Sequence, residues 1–442
     1  MNCLERDKKA IWHPFTPLVE GHEEHFVTRA KGVYLYTSDG REIIDAISSW
    51  WVNLHGHAHP DIAEAIAQQA QQLEHVIFAG FTHQPAIELA ERLLQILPPN
   101  QHKVFYSDNG STACEVALKM AIQYWHNLGT PKTKVIAIDG GYHGDTFGAM
   151  SVGDRSPFSA PFNPLLFEVD FIDFPACAQI ACCAGQGNAG VHCGQAQQTI
   201  QQFEQLVATG EVAAFIYEPL VQGASGMRMY SKEILDRLLA IAQQYDVICI
   251  ADEVMTGFGR TGKLFASEYC EHLPDIMCLS KGLTGGTMAL GATTCTEKIM
   301  EAYREADLMK TFFHGHSFTA NPLACSAALA SLALLLHPQC IADIARIEQS
   351  HITFEQEIRA YKAVKEVRTL GTIIAIELAT DQETGYFNEA RSSLYTYFLE
   401  REVLLRPLGN VLYIIPPYVT NEAALQKIYQ VIQTFLETFE VN

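Results

Sequence analysis

Five apolar, β-branched runs, each separated from the next by segments of helical or turn-forming character, constrain this chain more than any other feature. They are Lys103 to Tyr106, Lys134 to Ile138, Ala213 to Tyr217, Val247 to Ala251 and Ile276 to Leu279. Strands apolar on both faces must be covered on both faces, as in a mainly parallel sheet buried between helices. The segments Ala113 to Trp125, Lys232 to Tyr245 and Pro322 to Leu336 carry apolar residues at spacings of three and four and supply such helices. The fold class is therefore α/β, and ligands are expected beyond the carboxyl ends of the strands.

After His337-Pro338 the pattern changes. A long helix leads to a strand from Thr372 to Leu378, a helix through Glu400 and a short strand Val411 to Ile415, which reads as a smaller α+β domain. We expect a large domain over residues 49–336 and the small domain over 337–442. Residues 1–48, with short strands near Gly32 to Tyr36 and Glu42 to Asp45, either join the small domain or wrap a partner subunit. At 442 residues and 48% hydrophobic content the chain can bury a core of that size.

Fifty acidic against 30 basic residues give a net charge of -20, which repels nucleic acid and anionic membranes and favours a small-molecule ligand. The charged segment Met1 to Ala10 lacks the apolar stretch of a secretory signal, and Leu323 to Leu336 is too short to span a bilayer, so a cytoplasmic protein is expected. Most of the 12 cysteines sit in apolar strands or helices as small hydrophobes. Cys177, Cys182, Cys183, His192 and Cys193 gather in a Gly- and Ala-rich stretch, but their spacing fits no paired zinc pattern and no metal is expected.

The chemistry begins at Asp252 and Glu253, delivered by the strand Val247 to Ala251 to the head of a glycine-rich loop. Alone, a strand-end Asp is commonly a turn cap. A second strand, however, ends in Ser280-Lys281-Gly282-Leu283-Thr284-Gly285-Gly286, bringing one lysine to the same edge. An amine there can form a Schiff base, and burial lowers its pKa so that it becomes a nucleophile and proton shuttle. Pyridoxal phosphate requires that amine, together with a carboxylate on its pyridinium nitrogen, for which Asp252 is suited. It also requires a phosphate cradle. Asn109-Gly110-Ser111-Thr112 follows a strand and opens a helix, so its N–H groups and hydroxyls face an anion with the helix dipole behind them.

Nine ordered stretches strengthen this reading: WHPFTP (12–17), SSWW (48–51), DNGSTACEVALKMA (108–121), GYHGDTFGAMSV (141–152), EPLVQGASGMRM (218–229), ADEVMTGFGRTGKLF (251–265), SKGLTGGTM (280–288), FFHGHSFTANPLAC (312–325) and RPLG (406–409). With them the chain resembles the class III aminotransferases of fold type I, and within these the 7,8-diaminopelargonic acid synthases of biotin biosynthesis. The resemblance runs from about Trp12 to Pro417. It implies pyridoxal 5'-phosphate as cofactor, with Lys281 its covalent anchor and Asp252 its pyridinium partner.

Gly110 and Ser111 are then expected to hold the phosphate. Ser317, beside Gly315, reaches the phosphate of a neighbouring subunit, so the resemblance implies a homodimer with shared sites. Tyr142 stacks on the cofactor ring, and Glu218 stands near it as a supporting acid. Trp50, Trp51, Phe15, Asp145, Arg260, Gly315 and Arg406 are the implied substrate residues, with Arg406 gripping a carboxylate through its planar fork. The substrates implied are 8-amino-7-oxononanoate and the donor S-adenosylmethionine. Lysine is the alternative donor, because Phe15 stands where S-adenosylmethionine users typically carry Tyr and His316 where they carry Pro. Another ω-amino acid aminotransferase of class III is the nearest rival.

Overall fold

The computed structural model describes residues 2–19, 25–176, 194–382, 384–385, 388 and 390–439. A seven-stranded sheet lies at its centre, and its strands are numbered along the chain: β1 (Gln101–Ser107), β2 (Lys134–Ile138), β3 (Asp170–Ile172), β4 (Val212–Tyr217), β5 (Ile248–Asp252), β6 (Ile276–Leu279) and β7 (Gly291–Thr296). Their spatial order is β1-β7-β6-β5-β4-β2-β3, and only β7 runs antiparallel to its neighbours. Every residue of β4, β5 and β6 is buried, as apolarity on both faces requires. The α/β class expected from the pattern, and the fold type I that the resemblance implies, are thus observed as a large, mainly parallel sheet with a smaller α+β part.

The five apolar runs coincide with β1, β2, β4, β5 and β6 to within a few residues. Two strands escape notice in the sequence. β3 is only three residues long, and β7 reads Gly-Ala-Thr-Thr-Cys-Thr, which lacks the Val and Ile that mark its neighbours. The helix Lys232–Gln244 illustrates how the covering layer is specified. Ser231 caps it by accepting from the Ile234 N–H, and Ile234, Leu235, Leu238, Ile241 and Ala242 form the buried stripe. Full burial of each large aliphatic side chain there contributes about 2 kcal/mol.

The smaller part contains an antiparallel sheet of Val364–Leu370, Ile373–Leu378 and Val411–Ile414, covered by the helices Pro338–Ile358 and Glu422–Thr438. The N-terminal strands Val27–Lys31, Tyr34–Thr37 and Glu42–Asp45 form a second sheet, closed by Val403–Leu404 pairing parallel to Glu42–Asp45. In that pairing Asp45 lies opposite Leu404. Among the described residues no single helix is long and apolar enough to cross a membrane. The cysteine cluster Cys177, Cys182, Cys183 and Cys193 lies outside the described residues, as does His192.

Two buried arginines tie the sheets together. Arg368 donates to the backbone oxygens of Gly226 and Met227 while pairing with Glu377. Arg260 donates to the oxygens of Pro416, Trp51 and Asn53. The backbones also touch directly at Gly371, where a Cβ would lie 2.2 Å from both Gly262 N and Thr261 C. Gly371 has φ +56°, so only glycine meets both the conformation and the contact. Gly371→Ala is therefore expected to cost about 2 kcal/mol or more, read as a lowered midpoint in thermal or urea denaturation.

Candidate active site

Parallel pairing of β5 with β6 sets Asp252 opposite Cys278, so the chain leaving β6 brings Lys281 to the edge that carries Asp252. A cavity of about 420 Å³ opens there. Lys281, Asp252, Gly110, Ser111, Tyr142 and Trp51 all line it, joined by Glu218 and His143. Six residues expected from five separate motifs thus line one cavity.

Lys281 takes φ 43°, a left-handed conformation that costs energy in any residue with a Cβ and recurs at functional sites. Its Nζ lies 4.7 Å over the Trp51 ring. Enclosure lowers the amine's pKa, while the charges of Asp252 and Glu218 resist the fall. The Trp51 indole N–H donates to the Tyr413 hydroxyl (3.1 Å), which fixes the ring beneath the amine.

Asp252 is buried on the cavity floor. Its Oδ1 accepts from the Val254 N–H, and its Oδ2 accepts from His143 Nδ1 (2.7 Å) and the Cys114 thiol (3.5 Å). Burial alone would strip the proton from His143, but the hydrogen bond and charge of Asp252 hold its pKa up at about 10. Asp252 thus lines the cavity with the imidazolium of His143 hydrogen-bonded behind it. Cys114, His143 and Asp252 converge as metal ligands sometimes do. The direct His143–Asp252 contact fills the space between them.

Glu218 is buried beside them and accepts from the N–H groups of Tyr142 and Gly223, both at 2.9 Å. Burial lifts its pKa to about 7; His143 pulls it down and Asp252 pushes it up. Burial first, then the nearby Asp145 carboxylate, raise the pKa of the Tyr142 phenol.

At the head of the helix Gly110–Asn127, Asn109 and Thr112 cap each other reciprocally. The N–H groups of Gly110 and Ser111 have no intrahelical acceptor and point into the cavity with the dipole behind them. The loop at Gly144 packs so closely that a Cβ there would lie 1.9 Å from Ser111 Oγ, and Ser111 Oγ accepts from the Asp145 N–H. An amine, a carboxylate backed by a cation, an anion cradle and an aromatic face therefore surround a space that fits pyridoxal phosphate.

The remaining candidates lie outside that cavity. Trp50, Phe15 and Arg406 meet at its approach: the Arg406 guanidinium lies 4.1 Å over the Trp50 ring, and Phe15 meets Trp50 edge-on at 5.6 Å. Gly315 and Ser317 are exposed on the loop before the helix Pro322–Leu335. Asp145 and Arg260, both implied substrate residues, stand in different settings. Asp145 is exposed and engages Tyr142, whereas Arg260 is fully buried on backbone oxygens. Its Nη1 and Nη2 groups act as a clamp on three backbone segments.

His143 is the main residue that sequence reading passed over, although it stands between Tyr142 and Gly144 in a quoted motif. Its raised pKa implies a pH dependence. Relative to an unfolded value near 6.5, the group contributes its full stability below that pH and loses it as pH rises through about 10. The thermal midpoint of the apoprotein should fall across that window, and His143→Gln should flatten the slope.

Comparison with known proteins agrees with this geometry. The family described as "Aminotransferase class-III" matches residues 18–436. An adenosylmethionine-8-amino-7-oxononanoate aminotransferase from Synechococcus elongatus is 50% identical over 97% of this chain and 98% of its own length. That of Geobacter sulfurreducens is 41% identical over 93% and 92%. Among solved structures, the enzyme of the same name from Methanocaldococcus jannaschii superposes with a TM-score of 0.88 at 35% identity, covering 97% of this chain and 98% of that one. A PLP-bound amine transaminase from an uncultivated Pseudomonas species gives 0.89 at 29% identity, with 97% and 98% covered. The chain belongs to the class III aminotransferases and is a pyridoxal-phosphate-dependent enzyme.

Proposed function

We propose that this aminotransferase converts 8-amino-7-oxononanoate to 7,8-diaminononanoate in biotin biosynthesis, with S-adenosylmethionine as amino donor. The observation that carries the reading is the meeting of Trp50, Phe15 and Arg406 at the cavity mouth. Broad aromatic surface beside a guanidinium matches an aliphatic chain that ends in a carboxylate. The names of the relatives carry the same donor and acceptor.

In this reading Lys281 anchors the cofactor and moves the proton at the substrate carbon, and its lowered pKa keeps part of the amine as free base. Asp252 holds the pyridinium nitrogen, with His143 orienting the carboxyl group. Gly110 and Ser111 hold the phosphate, Tyr142 covers the ring, and Glu218 supports the same side. When bound, the cofactor supplies the carbonyl that takes up the amino group and the ring that accepts electrons from the substrate carbon. Trp50, Trp51 and Phe15 bury the alkyl chain and exclude water, while Arg406 fixes the carboxylate.

The enzyme acts as a cytoplasmic homodimer in which Gly315 and Ser317 serve the partner's site. Supporting this, Phe81, Leu308, Met309, Phe313 and Phe318 are all exposed in the single chain.

Purified enzyme should form 7,8-diaminononanoate from 8-amino-7-oxononanoate and S-adenosylmethionine. Lysine is the second donor to test. Turnover of an ω-amine with 2-oxoglutarate, without product from either donor, overturns the assignment. Lys281→Ala should lower the rate about 10³-fold or more and abolish the visible absorbance of the lysine-linked cofactor.

Phe15 lacks a hydroxyl that could hydrogen-bond the donor. Phe15→Tyr should raise the preference for S-adenosylmethionine over lysine by roughly threefold to tenfold, the worth of one hydrogen bond, in a donor competition assay.

A further inference from the structure

Trp50 and Trp51 reach their positions because the backbone beneath them follows an unusual path. Ser48, Ser49 and Trp51 have φ of 52°, 60° and 65°, all in the left-handed region. Such a run persists only where surrounding groups over-determine it.

One carboxylate supplies that determination. Asp45 is fully buried at the end of its strand. Its Oδ1 accepts from the N–H groups of Ile47 (3.2 Å) and Ser49 (2.9 Å). Its Oδ2 accepts from the Ser49 hydroxyl (2.9 Å) and from His57 Nε2 (2.8 Å). His57 is oriented in turn. Its Nδ1 accepts from the Asn53 amide (3.3 Å), and its backbone exchanges two hydrogen bonds with Gly32.

Other bonds hold the two ends of the turn. Ser48 Oγ donates to the Ile415 oxygen, the Trp51 indole to Tyr413, and Arg260 to the oxygens of Trp51 and Asn53. These leave the middle to Asp45, which among the described residues grips Ser49 through both backbone and side chain. The Trp50 ring beyond it is partly exposed and rests on Phe15 and Arg406. The Asp45–Leu404 pairing places the segment that leads on to Arg406 beside the same turn.

We propose that Asp45, oriented by His57, is a positioning residue for the reaction: it presets the turn that presents Trp50 to the substrate's alkyl chain beneath Arg406. The inference rests on the substrate wall assigned above. Loosening Ser49 frees Trp50 while Trp51, Lys281 and the cofactor cavity keep their own anchors. The effect is therefore on substrate binding rather than on the chemical step.

A double-mutant cycle tests this, using 8-amino-7-oxononanoate as the varied substrate and the visible absorbance of the bound cofactor as the second readout. Asp45→Ala should raise KM roughly tenfold, with kcat within about twofold and the absorbance retained. Trp50→Ala should also raise KM, and adding Asp45→Ala to it should change KM little further. Asp45→Asn, which keeps one oxygen for the Ile47 and Ser49 amides, should recover part of the loss. Additive effects, or loss of kcat and absorbance at unchanged KM, overturn the proposal.

If Asp45→Ala does not fold, His57→Gln takes its place, with a KM rise of about threefold that again disappears in the Trp50→Ala background. Additivity there overturns the proposal equally. If wild type turns over only an ω-amine with 2-oxoglutarate, the substrate assignment fails. The same cycle on that amine still decides whether Asp45 acts through Trp50.

Discussion

The pairing of β5 with β6 is the constraint on which the site depends. Parallel register places Asp252 opposite Cys278 and sends the following turn, with Lys281, over the same edge. A shift by one residue would turn each side chain to the opposite face and separate carboxylate from amine. Burial on both faces prevents such a slip, because every residue of both strands is packed. The sheet's hydrophobic energy thereby fixes a polar geometry. Within it, Asp252 is held by three donors, His143 Nδ1, the Cys114 thiol and the Val254 N–H, so its buried oxygens are paired.

A different solution joins the sheets. Arg260 and Arg368 are almost fully buried, and both spend guanidinium donors on backbone carbonyls across the junction. Five donors in a rigid fork can hold several main-chain segments at once, which no single apolar contact does. Arg260 has no carboxylate among these partners, and burial accordingly lowers its pKa. Orienting bonds to Pro416, Trp51 and Asn53 hold it in place of charge neutralisation. The result is directional: the segments are held at specified atoms.

Much of this was legible in the sequence. The runs that became β1, β2, β4, β5 and β6 announced themselves because β-branched residues buried on both faces leave no polar alternation. β7 did not, because Thr-rich strands resemble loops. Lys281, Asp252 and the Gly110-Ser111 turn were readable because each sits where a strand ends. Phe15, Trp50 and Arg406 came from motif resemblance, and their mutual contact depends on a pairing between distant strands that periodicity cannot reveal. His143 and Asp45 were hidden for a related reason. A buried polar residue is defined by what it bonds in three dimensions, and Asp45 looks in sequence like an ordinary strand end. Arg260 was named from its motif, and its burial on three backbone oxygens could not be read from sequence, because those partners lie at distant positions.

The Trp51–Tyr413 hydrogen bond spans 362 positions of the chain, and the neighbouring Ser48–Ile415 bond spans 367. During synthesis, the tryptophans that wall the approach leave the ribosome near the beginning, and their supports emerge near the end. Early segments can form the cofactor edge of the sheet once β6 and β7 are present, but the apolar approach must wait for the last strand. A truncated product would therefore retain lysine and carboxylate while leaving Trp50 and Trp51 uncovered, an exposed aromatic surface of the kind that chaperones and proteases engage.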